Sequence, residues 1–270
     1  MKKILQIIVN YHSEEDTLQY INSICESKSI IDSVTLDIIL VDNSITKSKL
    51  LRDEVLLMDR NIKIIDNENV GYFGAFKVAL ESVGYKNVLL YDHVIISNVD
   101  VKLNLDFFSE LQKINKNSNI GVLAPSIVSE FRGNDLNPKI MKKPKKNRIY
   151  LNYMLFKYPL LFKLYAELSN KKIKKNTLAY KAQKIYAPHG SFIIFNKIFF
   201  ELGGVIDYPI FLFGEEIYVA EVMKKIGLEV HYTPSLKILD SDHGSTSKES
   251  RKFIANEHRK ALVFILKNYY

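Results

Sequence analysis

Runs of Ile, Val and Leu recur along the first 125 positions, at 4–9, 36–41, 62–65, 88–96 and 121–125. Apolar runs of this length and composition read as buried strands. Between them, 15–26, 47–58, 73–83 and 105–114 mix apolar and polar positions in a helical rhythm. Strand–helix alternation predicts an α/β chain, with a parallel sheet covered by helices. In such sheets ligands bind beyond the carboxyl ends of the strands. The polar residues that follow each run therefore matter most: Asn10 and Tyr11, Asp42 to Ser44, 66–71, and Asn98 to Asp100.

The pattern changes from 128 to 184, which reads as an insert: polar, then basic, then aromatic and aliphatic, then basic again. Pro159 should break or kink a helix there. Alternation resumes over 185–195; 215–226 reads as a helix, 228–233 as a strand, and 250–270 carries a helical apolar pattern. No internal repeat is present. The organisation expected is one domain over 1–270: a ligand-binding half (1–127), the insert (128–184), a second half of the site (185–247) and a C-terminal helix (248–270).

Composition narrows the class without naming a function. Over 270 residues, 47% hydrophobic and 25% charged is ordinary for a soluble globular chain. One cysteine, Cys25, excludes a disulfide scaffold within the chain and a Cys-rich zinc site, and suits a reducing, cytoplasmic compartment. The opening MKKILQIIVN reads as a buried strand rather than a signal peptide, and no stretch of 18 uncharged apolar residues predicts a membrane span. The net charge of +8 clusters at Lys142, Lys143, Lys145, Lys146 and Arg148, then at Lys171, Lys172, Lys174 and Lys175. With the aromatic stretch between them, residues 142–175 read either as an anionic-membrane surface or as a helical pair packed on the body. The charge comes without a nucleic-acid-binding motif, so nucleic acid is not an expected partner.

Candidate chemistry sits at the run ends. VIISNVDV ends a buried run in Asn98 and Asp100, and a carboxylate there suits a hard divalent cation bound to phosphate. LVDNS repeats the arrangement at Asp42. DNENVGYFGA places Asn69, Gly71 and Gly74 before a helix, where backbone N–H groups approach an anion. Neither a dinucleotide fingerprint nor a P-loop is present. The segment APHGSFIIFNKIFF contains Gly190, and Glu215 and Glu216 stand at a helix start after Phe211-Leu212-Phe213, placed for general-base work. Asp242-His243-Gly244-Ser245 adds a histidine able to meet a metal or a phosphate.

The order and spacing of these segments resemble inverting glycosyltransferases of family 2, of GT-A fold, in the bacterial rhamnosyltransferase-like branch. The resemblance covers 3–127 and 185–247. It is carried by IIVNYHSEEDTLQYINSI, LVDNS, NENVGYFGA, NVD, GSFIIFNKIFFELGGVID with FGEE, and DHGSTS. It implies a GT-A-like fold, a Rossmann-like mixed, mostly parallel sheet flanked by helices with a helical basic/aromatic insert, together with a nucleoside-diphosphate sugar donor, Mg²⁺ or Mn²⁺, and a glycan or polyprenyl-linked acceptor. The protein would act in bacterial surface polysaccharide or lipopolysaccharide synthesis, in the cytoplasm or on the inner face of the membrane. Carried over residue by residue, Asn10, Asp42, Asn69, Gly71, Asn98 and Gly190 meet the nucleotide sugar. Asp100 and His243 hold the metal, Glu216 is the base, and Glu215 orients the site. Tyr218 and Val222 depart from the family, which often has an acidic residue and an Arg there. Two other readings remain open from sequence: a sugar-phosphate nucleotidyltransferase, and a catalytically impaired nucleotide-sugar-binding or scaffold protein.

Overall fold

Strand Lys2–Asn10 (β1) is buried from Ile4 onward. Leu5, Ile7 and Val9 enter one core and Ile4 and Ile8 another. An apolar run without a polar face thus has both faces covered. The computed structural model describes residues 1–114, 119–158, 181–241 and 250–270. After β1 come Glu14–Ser29 (α1), Val34–Asp42 (β2), Lys49–Met58 (α2), Lys63–Asp66 (β3), Tyr72–Val83 (α3), the short Tyr85–Val88 (α4), His93–Ser97 (β4), Val101–Leu103 (β5), Phe107–Lys113 (α5) and Ile120–Ser129 (β6). Then follow Lys146–Lys157 (α6), Gln183–Ile185 (β7), Phe192–Asn196 (β8), Lys197–Glu201 (α7), Glu215–Lys225 (α8), Glu229–Asp240 (β9) and Arg251–Tyr269 (α9).

The sheet order is β3-β2-β1-β4-β8-β6-β9-β5, with β7 also on β9. Pairing is parallel across β3-β2-β1-β4 and between β6 and β9, and antiparallel where β8, β5 and β7 join. Helices α1, α2 and α5 cover one face through Tyr20, Val55 and Phe107, and α3, α7 and α8 cover the other through Phe76, Phe199 and Met223. This is the expected α/β class. Two run boundaries differ. Run 88–96 divides: Val88 closes α4, Leu90 is exposed, and the strand starts at His93. The 121–125 and 228–233 runs lengthen to Ser129 and Asp240, because the two strands pair along their polar, alternating continuations.

Part of the insert docks on the body. Ile149 of α6 packs with Ile217 of α8 and with Leu262 and Ile265 of α9. Lys143 Nζ lies 2.8 Å from the Glu221 carboxylate and donates to the Tyr269 carbonyl at 3.0 Å. Lys146 Nζ donates to the Tyr270 carbonyl at 3.3 Å. Both lysines therefore complement the partial negative charge at the α9 C-terminus, while Lys142, Lys145 and Arg148 are exposed. Pro159 and the cluster Lys171–175 lie outside the described residues. No described helix is long and apolar enough to cross a membrane.

Candidate active site

Strands β1, β2, β3 and β4 run parallel, so their carboxyl ends share one edge of the sheet. The chain beyond each end supplies part of a cleft of about 250 Å³. Tyr11, Ser13 and Asp16 follow β1, Asn43 follows β2, Asn69, Gly71 and Tyr72 follow β3, and Asn98 to Asp100 follow β4. Phe211, Leu212 and Phe253 complete the wall.

Among the predicted residues, Asn69, Gly71, Asn98 and Asp100 line this cleft. Asn10 and Asp42 stand behind it. The Asn10 amide donates to Asp42 Oδ1 at 3.0 Å and to Ser44 Oγ at 3.2 Å, and its Oδ1 accepts from the Ser13 N–H and the Thr17 hydroxyl. Asp42 Oδ1 also accepts from the Ser44 N–H at 3.0 Å. These bonds clamp the turns after β1 and β2 together. The LVDNS residue at the wall is Asn43, whose amide donates to the Gly71 carbonyl at 3.2 Å.

Gly71 opens α3 with φ +83°, and a Cβ there would lie 2.3 Å from the Phe211 carbonyl oxygen. Only glycine meets both conditions. Two of the N–H groups at the start of α3 are taken within the fold. The Gly71 N–H donates to Asn69 Oδ1 at 3.2 Å and the Tyr72 N–H to the Phe211 carbonyl at 3.2 Å. The Tyr72 bond fastens the Phe211 loop over the cleft.

Asp100 is 9% exposed, and its Oδ1 is buried without a hydrogen-bond partner. Burial, and then the charge of Asp240, push its carboxyl up to about 7. A buried, unpartnered carboxylate oxygen beside a second acid fits a hard divalent cation. Among the described residues no three His, Cys, Asp or Glu side chains form a metal cage. Asp100 would then hold such an ion mainly through ligand phosphates, and His243 lies outside the described residues.

The second acidic centre reaches this edge through β8. Because β8 runs antiparallel to β4, the segment before it meets the end of β4, and the Asn98 N–H donates to the Ser191 carbonyl at 2.9 Å. The Tyr72 hydroxyl donates to the neighbouring Gly190 carbonyl at 2.8 Å. A Cβ on Gly190 would lie 2.6 Å from Glu215 Oε1, so glycine makes room for that carboxylate. Burial, and then the charge of Glu216, raise the Glu215 carboxyl above the ordinary range. Neither glutamate lines the cleft itself. Tyr72 stands between the centres, its phenol raised by burial first, then by Glu215 and Asp100.

The turn into α8 is strained. Phe213 has φ +69° and Gly214 φ +84°. The Tyr208 hydroxyl donates to the Phe213 carbonyl at 2.7 Å. The Phe213 ring stacks on His258 at 3.7 Å, and His258 stacks in turn on Phe156 at 4.3 Å. Strain of this kind persists where the surroundings over-determine it. Tyr218 is a core residue: its hydroxyl accepts the Asp207 N–H and donates to the Val205 carbonyl. Val222 packs against the core beneath the same helix. Cleft residues to which the sequence assigns no individual role include Ser13, Asp16, Asn43, Tyr72, Phe211, Leu212 and Phe253. Asn43 and Tyr72 lie inside motifs already singled out, and Phe211 and Leu212 inside the aromatic approach to Glu215. Asp16 and Phe253 look like ordinary helix residues until the chain is folded.

No protein-family profile matches the chain, and no curated protein matches it in sequence. Solved structures do match. The crystal structure of GalNAc-T7 with UDP, GalNAc and Mn²⁺ aligns with 100% of this chain at a TM-score of 0.59 and 13% identity, and the chain spans 50% of that protein's length. S. aureus TarS 1–349 aligns with 97% of this chain and 70% of its own at a TM-score of 0.57 and 10% identity. TarS in complex with UDP-GlcNAc aligns with 92% of this chain and 61% of its own at a TM-score of 0.57 and 11% identity. At such identities the shared property is the fold, and the fold of this chain is the GT-A-like mixed α/β architecture of these glycosyltransferases.

Proposed function

We propose that this protein is a divalent-cation-dependent inverting glycosyltransferase of the family 2 type. It would move a sugar from a nucleoside-diphosphate donor to a glycan or lipid-linked acceptor in bacterial surface polysaccharide synthesis. The observation that carries this reading is Asp100: a buried carboxylate oxygen without a partner, at the carboxyl end of a central strand, in a cleft linked through Tyr72 to a pair of glutamates. The structural neighbours support it, since those proteins were solved with UDP, Mn²⁺ or UDP-GlcNAc.

Asn43, Asn69 and Gly71 would receive the nucleoside, with Asn10 and Asp42 holding the turns that place them. Asn98 would meet the ribose and Asp100 the cation on the diphosphate. Mg²⁺ or Mn²⁺, when bound, supplies Lewis-acid neutralisation of the leaving group. Glu216 would take the proton of the attacking acceptor hydroxyl. Burial, and then the charge of Glu216, raise the Glu215 carboxyl, which suits Glu215 to orienting the site. Tyr72, Phe211 and Leu212 screen the reacting centre from water. A single displacement opposite the leaving group inverts the anomeric carbon.

A thermal-shift screen of nucleotide sugars with and without Mn²⁺ tests the reading, because a true donor stabilises the fold by mass action. The expected result is stabilisation by one nucleoside diphosphate and its sugar, dependent on Mn²⁺ and abolished by Asp100→Asn. Stabilisation by no nucleotide sugar, or a product of retained configuration, overturns it.

A further inference from the structure

The segment 208–214 has two sides. Phe211 and Leu212 line the catalytic cleft, whereas Ile210 lines a second, open groove against α6 and α9. The two sites are joined along α9. Phe253 rims the cleft; Asn256, Lys260, Val263 and Lys267 follow at steps of three and four residues and so form one stripe of the helix. At 1.5 Å per residue the stripe from Phe253 to Lys267 is about 21 Å long.

The groove is cationic, and part of its charge is unused. Arg259, Lys260 and Lys267 line it, and no acidic residue does. Lys260 Nζ is taken by Glu257 at 2.6 Å. Arg259 Nε is buried without a hydrogen-bond partner, and among the described residues neither Arg259 nor Lys267 has a hydrogen bond or ion pair. The terminal guanidinium nitrogens of Arg259, which have no hydrogen-bond partner among the described residues either, would pair with a carboxylate or phosphate in the groove. The remaining lining fits a sugar chain. The Asn256 amide nitrogen donates to Glu257 at 3.4 Å and that of Asn268 to the Phe264 carbonyl at 2.8 Å, which leaves their amide oxygens for hydroxyl groups, and the 48% exposed Val263 and the edge of Tyr153 offer apolar surface to sugar C–H faces. Polar side chains interrupt that apolar surface, so no continuous strip suits an acyl chain.

We infer that this groove is an acceptor subsite for an anionic glycan, a sugar chain bearing carboxylate or phosphate groups, whose reacting end enters the cleft past Phe253. The acceptor role rests on the glycosyltransferase reading; the anion-recognising groove does not. Binding of tetragalacturonate, maltotetraose, UDP with Mn²⁺, and anionic phospholipid vesicles is to be measured by calorimetry on the full chain. Tetragalacturonate should bind about tenfold or more tighter than maltotetraose. Arg259→Gln and Lys267→Gln should each weaken it about tenfold, with UDP affinity unchanged. Val263→Glu, four residues from both Arg259 and Lys267 on the same helix, would pair with the two cations and should abolish binding, and Arg259→Lys should restore part of the loss seen in Arg259→Gln. Equal binding of the two oligosaccharides, or unaltered binding in the variants, overturns the inference. So does loss of vesicle binding in the variants while oligosaccharide binding persists, which would mark a lipid site. Arg259-dependent tetragalacturonate binding in a protein that does not bind UDP would bring down the glycosyltransferase reading and the acceptor role with it, leaving an anionic-glycan groove.

Discussion

Residues of this site are explained by what each one lacks or excludes. Asp100 lacks a partner for Oδ1, and burial with Asp240 raises its carboxyl to about 7 in the fold. A carboxyl raised on folding binds protons that the unfolded chain releases, so stability falls as pH rises from about 4 through 7. Asp100→Asn should therefore unfold at higher urea than the parent at pH 8, and much less differently at pH 4, while losing Mn²⁺-dependent UDP binding. A variant that is less stable at pH 8 and binds UDP with Mn²⁺ normally would sink the assignment. Gly71 excludes a side chain both by its φ and by the Phe211 carbonyl; Gly71→Ala should lose about 1–3 kcal/mol in denaturant unfolding. For the glutamates, Glu216→Gln should slow transfer by roughly 10²–10⁴-fold with donor binding kept. If Glu215→Gln is the inactive variant and Glu216→Gln retains full transfer, the base is the other residue. Asp100 and the glutamate pair are legible in sequence because strand ends and helix starts announce themselves locally. Asp16 is not, since an acidic residue in a first helical turn serves the dipole equally well.

At the scale of elements, the stack Phe156–His258–Phe213 joins α6, α9 and the turn into α8. The insert helix thereby braces the turn that presents Glu215 and Glu216. Burial in the first place, and then the positive charge of Lys139, hold the His258 imidazole down to about 4, against an ordinary value of 6.5. Between those values the unfolded chain binds a proton that the folded one refuses, so stability declines as pH falls from 6.5 towards 4. His258→Phe keeps a stacking ring and removes the titration. Its denaturation midpoint should depend less on pH across that window than the parent's, and an identical pH dependence would contradict this account. The stack could not be read from sequence: its rings come from three distant segments, and helical periodicity identifies a buried face without naming the face it meets.

For the whole molecule, sheet order does the assembling. The parallel strands bring four polar segments to one edge, and antiparallel β8 adds Gly190 and, against it, Glu215. The net charge of +8 and the exposed Lys142, Lys145 and Arg148 suit an anionic surface. Anionic vesicles should bind the protein at low salt and release it as ionic strength rises. Charge reversal of Lys142 and Lys145 should weaken binding more than reversal of Lys143 and Lys146, which serve the α9 terminus. Equal loss from both sets would place the contact elsewhere.

The sequence by itself determined the α/β class, most strands and helices, and the run-end segments that line the cleft. Those features follow from local periodicity, turn chemistry and the apolar content of single runs. It also marked Asn69, Gly71, Asn98 and Asp100, which stand at run ends that become cleft walls. Tertiary structure alone decided that Asn10 and Asp42 lie one layer behind the wall, that the Tyr72 hydroxyl reaches the Gly190 carbonyl, and that Tyr218 belongs to the core. It alone laid α9 beside the cleft, with Phe253 at the rim and Arg259 unpaired in a groove. These are long-range contacts, set by which faces bury against one another, and no window of neighbouring residues contains both partners.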